Sequence, residues 1–463
     1  MLTAVVRAFQ TPDLRKKLLF TAGIVVLFRF GSNLPVPGVS ERNALYCSGL
    51  ASSTGNSTAS IYAVLNVLSG NALLRLTVFA PGIMPYITAS IILQLLTQVV
   101  PRFEALKKQG QAGTAKITQY TRYLTVGLAV AQSAGYVEAA RSGSFFSGTQ
   151  CSATDHPLIP HPGAFTLITA VITMASGTAV IMWMGELVTD RGIGNGMSVM
   201  IFTTVIAVVP GEFEQIYASK GLSYTAGAVI VVVAVVVFVV FMEQAQRRIR
   251  IQYARRMVGR RMYGGTSTYL PVKVNQAGVV PVIFASSLLQ IPQLAASWFG
   301  DKNHPQGWYA WIQAHLEQGD SKIYLAAFLG LIVGFTHFYV LITFNPDEVA
   351  DNMKNYGGFV PGIRPGRPTA EYLRYVLSRL TAPGSVYLGV VAMFPLVALG
   401  LIGVSSQLPF SGVSLLIMVG VGLDTVKQIG SQLQQHNYEG FLRLSKPRKF
   451  DGTPERPAAL EMT

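Results

Sequence analysis

The run Gly192-Ile193-Gly194-Asn195-Gly196 has the glycine density of a loop that cradles phosphate. Such a loop follows a strand, opens a helix and, in its P-loop form, carries a lysine that reaches the phosphates. Here the run lies between two long apolar stretches, with no strand before it and no such lysine. It reads as a tight turn. The histidines, His156, His161, His304, His315, His337 and His436, are scattered. His337 falls inside an apolar run, where a polar packing role suits it better than a ligand role. Two cysteines, Cys47 and Cys151, cannot make a disulfide framework or a zinc site. No nucleophile–base pair stands out. These residues point to no catalysis, no cofactor and no metal.

Carboxylates narrow the field further. An ion-coupled carrier keeps ionisable groups near the bilayer centre, where they are costly and therefore functional. Glu138, Glu186, Glu243 and Asp424 instead sit at or near the ends of apolar runs. Arg29 is the main candidate for a charge within a run, toward its outer end. A passive conduit for something large and chemically varied fits this pattern. A secondary transporter of small solutes is the alternative, and a membrane enzyme lacks a catalytic cluster.

The elements that carry these residues are built for lipid. Of the 463 residues, 50% are hydrophobic and 13% charged, against about 25% charged in soluble domains. Runs of about 20 apolar residues mark helices that cross a membrane. They predict ten spans, near 18–34, 61–100, 117–137, 165–188, 197–209, 225–242, 278–298, 323–344, 384–404 and 411–429. The second is broken at Ser69-Gly70 and by Pro81 and Pro85, because proline removes a helix hydrogen bond and clashes with the preceding turn. In lipid a freed carbonyl needs a protein or water partner, so a broken span marks a segment that lines a pathway or moves. The first span follows Arg15, Lys16 and Lys17 without a small-residue cleavage site, and reads as retained rather than as a signal peptide.

The net charge of +14 would suit nucleic acid, but its placement says otherwise. With the N-terminus inside, the inner segments hold most of the 36 basic residues, and the outer ones hold Arg42, Arg75, Arg141, Lys220, Lys302 and Lys322. Basic residues stay on the cytoplasmic side, so both ends are expected there and no sequence-specific nucleic acid is expected. A loop at 210–224 divides five spans from five. The expected halves are 1–211 and 212–463, the second with basic loops at 243–277 and 345–380. Pro281 near the start of the seventh span answers Pro81 and Pro85 in the second, a pattern found in repeated halves around a central pathway.

Several motifs carry a family resemblance. Pro81-Gly82-Ile83-Met84-Pro85-Tyr86 opens the second span. Met182-Trp183-Met184-Gly185-Glu186 leads into Arg191-Gly192-Ile193-Gly194-Asn195-Gly196-Met197-Ser198. Gln246-Arg247-Arg248, Gly259-Arg260-Arg261 and Pro271-Val272-Lys273-Val274-Asn275 follow. Asn345-Pro346 and Phe359-Val360-Pro361-Gly362-Ile363-Arg364-Pro365-Gly366 lie in a later loop. In this order they resemble SecY, the channel subunit family of the bacterial protein translocase, from about Leu14 to Tyr438.

The resemblance implies an all-α membrane protein of ten helices, in two pseudo-symmetric halves around an hourglass pore. It implies a waist of Ile83, Ile87, Met197, Ile201, Ile283 and Ile417, with methionine where the family usually has an aliphatic residue. It implies a plug at about 61–74, with Ile61, Leu65, Leu68, Ser69 and Gly70, and a lateral gate where Thr88, Gln132 and Gln290 could face each other. Arg255, Arg256, Arg260, Arg261 and Arg364 would dock the SecA motor ATPase or the ribosome. Seven arginines between 247 and 261 exceed what orientation needs, and arginine suits phosphate and carboxylate pairing. The expected partners are SecE-like and SecG-like small membrane subunits, unfolded preproteins and the lipid of a bacterial cytoplasmic membrane. Cys47 and Cys151 fall in outer loops, in segments that look like insertions relative to the shortest family members. Disulfides are permitted there, so a pair and two free thiols both stay open.

Overall fold

The computed structural model describes residues 9–54, 66, 69–141, 157–253, 256–258, 261–263, 267–299, 311–312, 315–316, 321–401 and 412–444. A helix stands at each of the ten expected positions. They are α1 (Pro12–Gly31), α3 (Met84–Val99), α5 (Gln111–Arg141), α6 (Ala164–Arg191), α7 (Gly196–Lys220), α8 (Leu222–Gln244), α9 (Val280–Phe299), α10 (Lys322–Thr343), α12 (Arg367–Leu401) and α13 (Gly412–Leu444). Three more helices lie in connections: α2 (Glu41–Thr54), α4 (Pro101–Lys108) and α11 (Pro346–Asn355). Among the described residues, six helices are long and apolar enough to cross a membrane by themselves, namely α6, α7, α8, α10, α12 and α13. The bent pair α3–α4, turned by 95°, would make a seventh. The protein is an all-α polytopic membrane protein.

Helix starts follow local chemistry. Pro12, Pro85, Pro101 and Pro346 all sit in the first turns of their helices, where the missing N–H has no intrahelical partner to lose. Pro85 therefore does not kink a span; it opens one. The residues before it, 69–83, form a chain of turns. α1 ends where Ser32 Oγ and Asn33 Nδ2 both donate to the Arg29 carbonyl, at 2.8 and 2.9 Å.

Three sequence expectations need correction. The fifth span is not short and no loop covers 210–224: α7 runs through Pro210 to Lys220. The break comes at Gly221, whose φ of +84° ends one helix before α8 begins, so the expected boundary between the halves at 211 and 212 falls inside a helix. A membrane helix tolerates an internal proline because neighbouring groups can meet the freed carbonyl. The connection at 345–380 is mostly helical, with α11 in it and α12 starting at Arg367. α13 continues past 429 to Leu444, beyond its apolar stretch.

One apolar core draws on α1, α3, α6, α7, α8, α9, α10, α12 and α13, so it joins the N-terminal and C-terminal parts of the chain. α8 shows how little of a membrane helix that core needs. Its buried residues, Ala228, Val235, Val239 and Glu243, make one stripe, while Ile230, Val233, Val237 and Phe241 are exposed. A helix apolar all round with one buried stripe turns the rest to lipid.

The arginine-rich segment after α8 folds as β-structure. β1 (Gln246–Tyr253) pairs antiparallel with β4 (Ser267–Lys273), from Gln246↔Lys273 to Gln252↔Ser267. The other edge of β1 takes β5 (Gly358–Phe359), through Gln252↔Phe359 and Tyr253↔Gly358. β2 (Arg256–Val258) and β3 (Arg261–Tyr263) form a second antiparallel pair. Ile249 and Ile251 of β1 are buried and Arg248 and Arg250 exposed, the period-two alternation of a strand with one face covered.

Glycines set the closest approaches. A Cβ on Gly177 of α6 would lie 2.1 Å from the carbonyl oxygen of Val78. Backbone cannot give way there, and overpacking costs about 1–3 kcal/mol. Gly177→Val is expected to lower the thermal midpoint of the purified, detergent-solubilised protein clearly. Gly23→Ala, where nothing lies within 4 Å, is expected to leave it nearly unchanged. Equal midpoints for the two variants would contradict this packing.

Candidate functional site

Four distant segments supply the predicted waist. Ile83 closes the turn segment and Ile87 lies one turn into α3; both face the same side. Met197 and Ile201 come from the first turns of α7, Ile283 from α9 and Ile417 from α13. Ile83, Met197, Ile201, Ile283 and Ile417 are buried in one cluster, and the half-buried Ile87 packs against it. All six predicted waist residues lie in or against the large apolar core that nine helices share. Gly185 of α6 makes room for Met197: a Cβ there would lie 2.4 Å from the methionine sulfur.

The glycine run that resembled a phosphate loop proves to be the start of this wall. Asn195 caps α7 by accepting from the Met197 N–H at 3.1 Å. The Gly196 N–H donates to Thr189 Oγ1 at 2.9 Å. A Cβ on Gly196 would lie 1.9 Å from the Gly185 carbonyl oxygen, and Gly194 has φ of +86°. The glycines serve backbone approach and a left-handed turn.

Of the predicted plug, Ile61, Leu65 and Leu68 lie outside the described residues, while Ser69 and Gly70 lie within them. Ser69 is buried; its hydroxyl donates to the Asn66 carbonyl at 3.0 Å and accepts from the Leu73 N–H at 3.1 Å. Asn66 Nδ2 donates to Asn71 Oδ1 at 2.9 Å, and Asn66 Oδ1 accepts from the Leu74 N–H at 3.1 Å. Gly70 and Asn71 both sit in the left-handed region, at φ of +71° and +67°. Arg29 of α1 reaches this knot: Nη1 donates to the Gly70 carbonyl at 3.3 Å. The one charge expected within a span therefore ends on the backbone of the predicted plug.

α9 touches α3 and α5 only along short stretches, whereas α3 lies along α5 and α9 along α10. The seam expected to open toward lipid is thus thinly joined. Of the predicted polar trio, Thr88 and Gln132 can be followed. Thr88 Oγ1 donates within its own helix to the Met84 carbonyl at 3.0 Å, and the buried Gln132 Oε1 has no partner among the described residues. The Gln290 side chain lies outside the described residues. A threonine in a helix satisfies itself on the preceding turn, which sequence spacing does not reveal.

The basic loops form one surface. Arg247, Arg248 and Arg250 are exposed on β1, and β5 brings the second loop against it. Arg256 and Arg261 stand on the β2–β3 pair; Arg255 and Arg260 lie outside the described residues. Arg364 is exposed, and its carbonyl accepts from Thr369 Oγ1 at 2.8 Å. Gly362 and Gly366 flank it with φ of +85° and +99°. Its backbone is fixed while its side chain stays open to solvent. Sequence reasoning missed the sheet that joins the two loops; the Arg–Ile alternation of β1 carried that signal.

Cys47 is buried and disulfide-bonded; Cys151 lies outside the described residues. Among the described residues no group of three or more His, Cys, Asp or Glu could hold a metal ion.

Comparison with known proteins gives a consistent result. The SecY family model matches residues 77–426. The protein translocase subunit SecY of Streptomyces scabiei is 58% identical over 447 residues, covering 96% of this chain and 100% of that protein. The corresponding subunit of Mycobacterium tuberculosis is 54% identical over 448 residues, with the same coverage. Among solved structures, a protein-conducting channel aligns with a TM-score of 0.61 at 18% identity, covering 93% of this chain and 95% of that one. Sec61 from a canine ribosome–channel complex aligns with a TM-score of 0.57 at 18% identity over the same shares. A match through most of the chain, and relatives more than half identical along their whole length, place this protein: it belongs to the SecY family.

Proposed function

We propose that this protein is the channel of a translocase that passes unfolded polypeptides outward across a bacterial cytoplasmic membrane and releases membrane segments sideways into lipid. The observation that carries the reading is the convergence of Ile83, Ile87, Met197, Ile201, Ile283 and Ile417, from four distant segments, into one apolar cluster. A narrow apolar constriction expels water and blocks ions. It offers no fixed hydrogen bond, so it can yield to any extended chain. The knot at Asn66–Asn71, held by Arg29, anchors a plug beside it. The thin contact of α9 with α3 and α5 serves as the lateral gate, since helices that share little surface can part at small cost. Both termini and the arginine-bearing sheet face the cytoplasm, where SecA or a ribosome docks. SecE-like and SecG-like subunits complete the assembly. Energy comes from those partners or from the proton gradient.

Three experiments test this. Ile87→Ser with Ile283→Ser places two hydroxyls at the waist and lets water bridge it. Single-channel recordings should show raised ion leakage without substrate, and the demand for a strongly hydrophobic signal sequence should relax. A double variant as tight as the parent would mean that these residues do not form the seal.

Arg364→Glu should insert and melt like the parent but lose SecA-driven translocation in reconstituted vesicles, because a like charge at a docking face costs several kcal/mol. Normal translocation by that variant would refute the docking assignment.

Cys47 is expected to pair with Cys151. Oxidised, denatured protein should then show no titratable thiol, and Cys151→Ser should lower stability by about 2–4 kcal/mol. Two thiols per chain would overturn the pairing.

A further inference from the structure

The chain passes from the arginine-bearing sheet into α9 through residues 274–279, and this passage is not a slack linker. The Val274 N–H donates to the Ala245 carbonyl at 3.0 Å, which extends the β1–β4 ladder to the end of α8. The Val274 carbonyl oxygen lies where a Cβ on Gly384 of α12 would come within 2.5 Å of it. Asn275, 3% exposed, sends its Nδ2 to Glu243 Oε1 at 2.6 Å and to the Gly278 carbonyl at 3.3 Å. Glu243 of α8 is itself only 9% exposed. Lys273, the last residue of β4, lies 3.6 Å from Asp424 of α13. One short segment thus ties the sheet to α8, α12 and α13 as it enters α9.

Two of these helices, α9 and α13, carry the waist. Ile283 lies in the first turns of α9, just past the junction. Ile417 lies about two helical turns from Asp424 along one face of α13. A displacement of the sheet therefore has a short, tied path to Ile283 and a looser one to Ile417 through the exposed Lys273–Asp424 pair.

The chemistry of the junction also separates it from simple packing. A junction selected only for strength would do as well or better with apolar groups, because the attraction within a buried polar pair rarely exceeds its desolvation cost. Here Asn275 Oδ1 and the hydroxyl of Tyr387 are buried without a partner among the described residues. Tyr387, 4% exposed, lies three residues from Gly384 on the same side of α12. An unmade acceptor and an unmade donor leave the capacity for a second pairing when the helices shift.

We infer that the Glu243–Asn275 hydrogen bond is the element that couples the cytoplasmic docking sheet to the pore, positioning α9 so that partner binding moves the waist. This rests on the reading of that sheet as the docking surface.

The test uses the full-length protein with its small subunits in vesicles, with SecA as the motor. Three quantities are read: SecA affinity, translocation rate and thermal midpoint. Asn275→Asp sets two carboxylates against each other and should slow translocation about tenfold or more, the scale of a lost hydrogen bond to a charged group, with SecA affinity unchanged. Glu243→Gln keeps an oxygen to accept from Asn275 and should translocate nearly as the parent does. Combining the two changes exchanges donor and acceptor: the amide introduced at position 243 can donate to the carboxylate introduced at position 275, and most of the rate should return. Should Asn275→Asp not accumulate in the membrane, Asn275→Ala removes the donor without adding charge and carries the same expectation.

A double variant as slow as Asn275→Asp overturns the proposal. So does a fall in SecA affinity that accounts for the slower rate, since the bond would then shape the docking face rather than transmit from it. Arg364→Glu separates the two readings: unchanged SecA affinity in that variant sinks the docking assignment, whereas the rescue pattern reports on the coupling bond alone.

Discussion

Inside a bilayer every backbone N–H and C=O needs a partner within the protein, and the interrupted segment before α3 is where this constraint presses hardest. Residues 69–83 are not helical, yet many of their polar groups find partners. The Val36 N–H donates to the Leu76 carbonyl and the Val78 N–H to the Leu34 carbonyl, at 3.1 and 2.9 Å. The Thr77 N–H reaches the Ala72 carbonyl at 3.1 Å, and Arg29 takes the Gly70 carbonyl. Irregular backbone at membrane depth is tolerated only when protein or a water-filled cavity covers it. α1, α6 and α7 supply that cover: Phe28 stacks on Phe79, Gly177 abuts the Val78 carbonyl, and Thr204 lies against Gly70.

Packing is uneven around the residues named for the waist. The six residues named for the waist are apolar and come from four segments of the chain. The helices that frame the seam share little contact, while each is well packed on its other side. Large apolar side chains such as Val237, Phe241 and Leu341 are exposed on the outside, and lipid covers them at no hydrophobic cost.

Around the arginine-bearing sheet the logic is reversed. Water reaches these loops, so they can form strands whose edges carry charge, and charged pairs there contribute little individually. Arg374 meets Asp347 at 2.9 Å, both with exposed side chains. The stiffness of this surface comes instead from the backbone ladder of β4, β1 and β5 and from the apolar residues beneath it, Ile249, Val272, Val360, Leu373 and Leu377. That combination fixes the backbone while Arg247, Arg248 and Arg250 stay exposed.

Much was legible in the sequence because lipid imposes one-dimensional rules. Length and hydropathy placed ten helices, and proline and glycine marked the break before α3. The family resemblance named six apolar residues that fall in or against one core, although no periodicity within one helix could have joined Ile83 to Ile417. What depended on tertiary structure were the places where two distant backbones or side chains meet. The helix through Pro210 was unreadable because the groups that compensate a membrane proline come from its neighbours. The sheet joining 246–253 to 358–359 needed strands more than a hundred residues apart. Thr88 bonds within its own helix rather than to its expected partners, and Glu243, which reads as an ordinary span-end charge, meets Asn275 in a buried junction. The sequence by itself determined which segments are apolar enough for the membrane and where they break, because that is a property of each segment and its solvent. Only the tertiary structure decided which polar groups face one another inside, because each of those pairings depends on how two helices are packed.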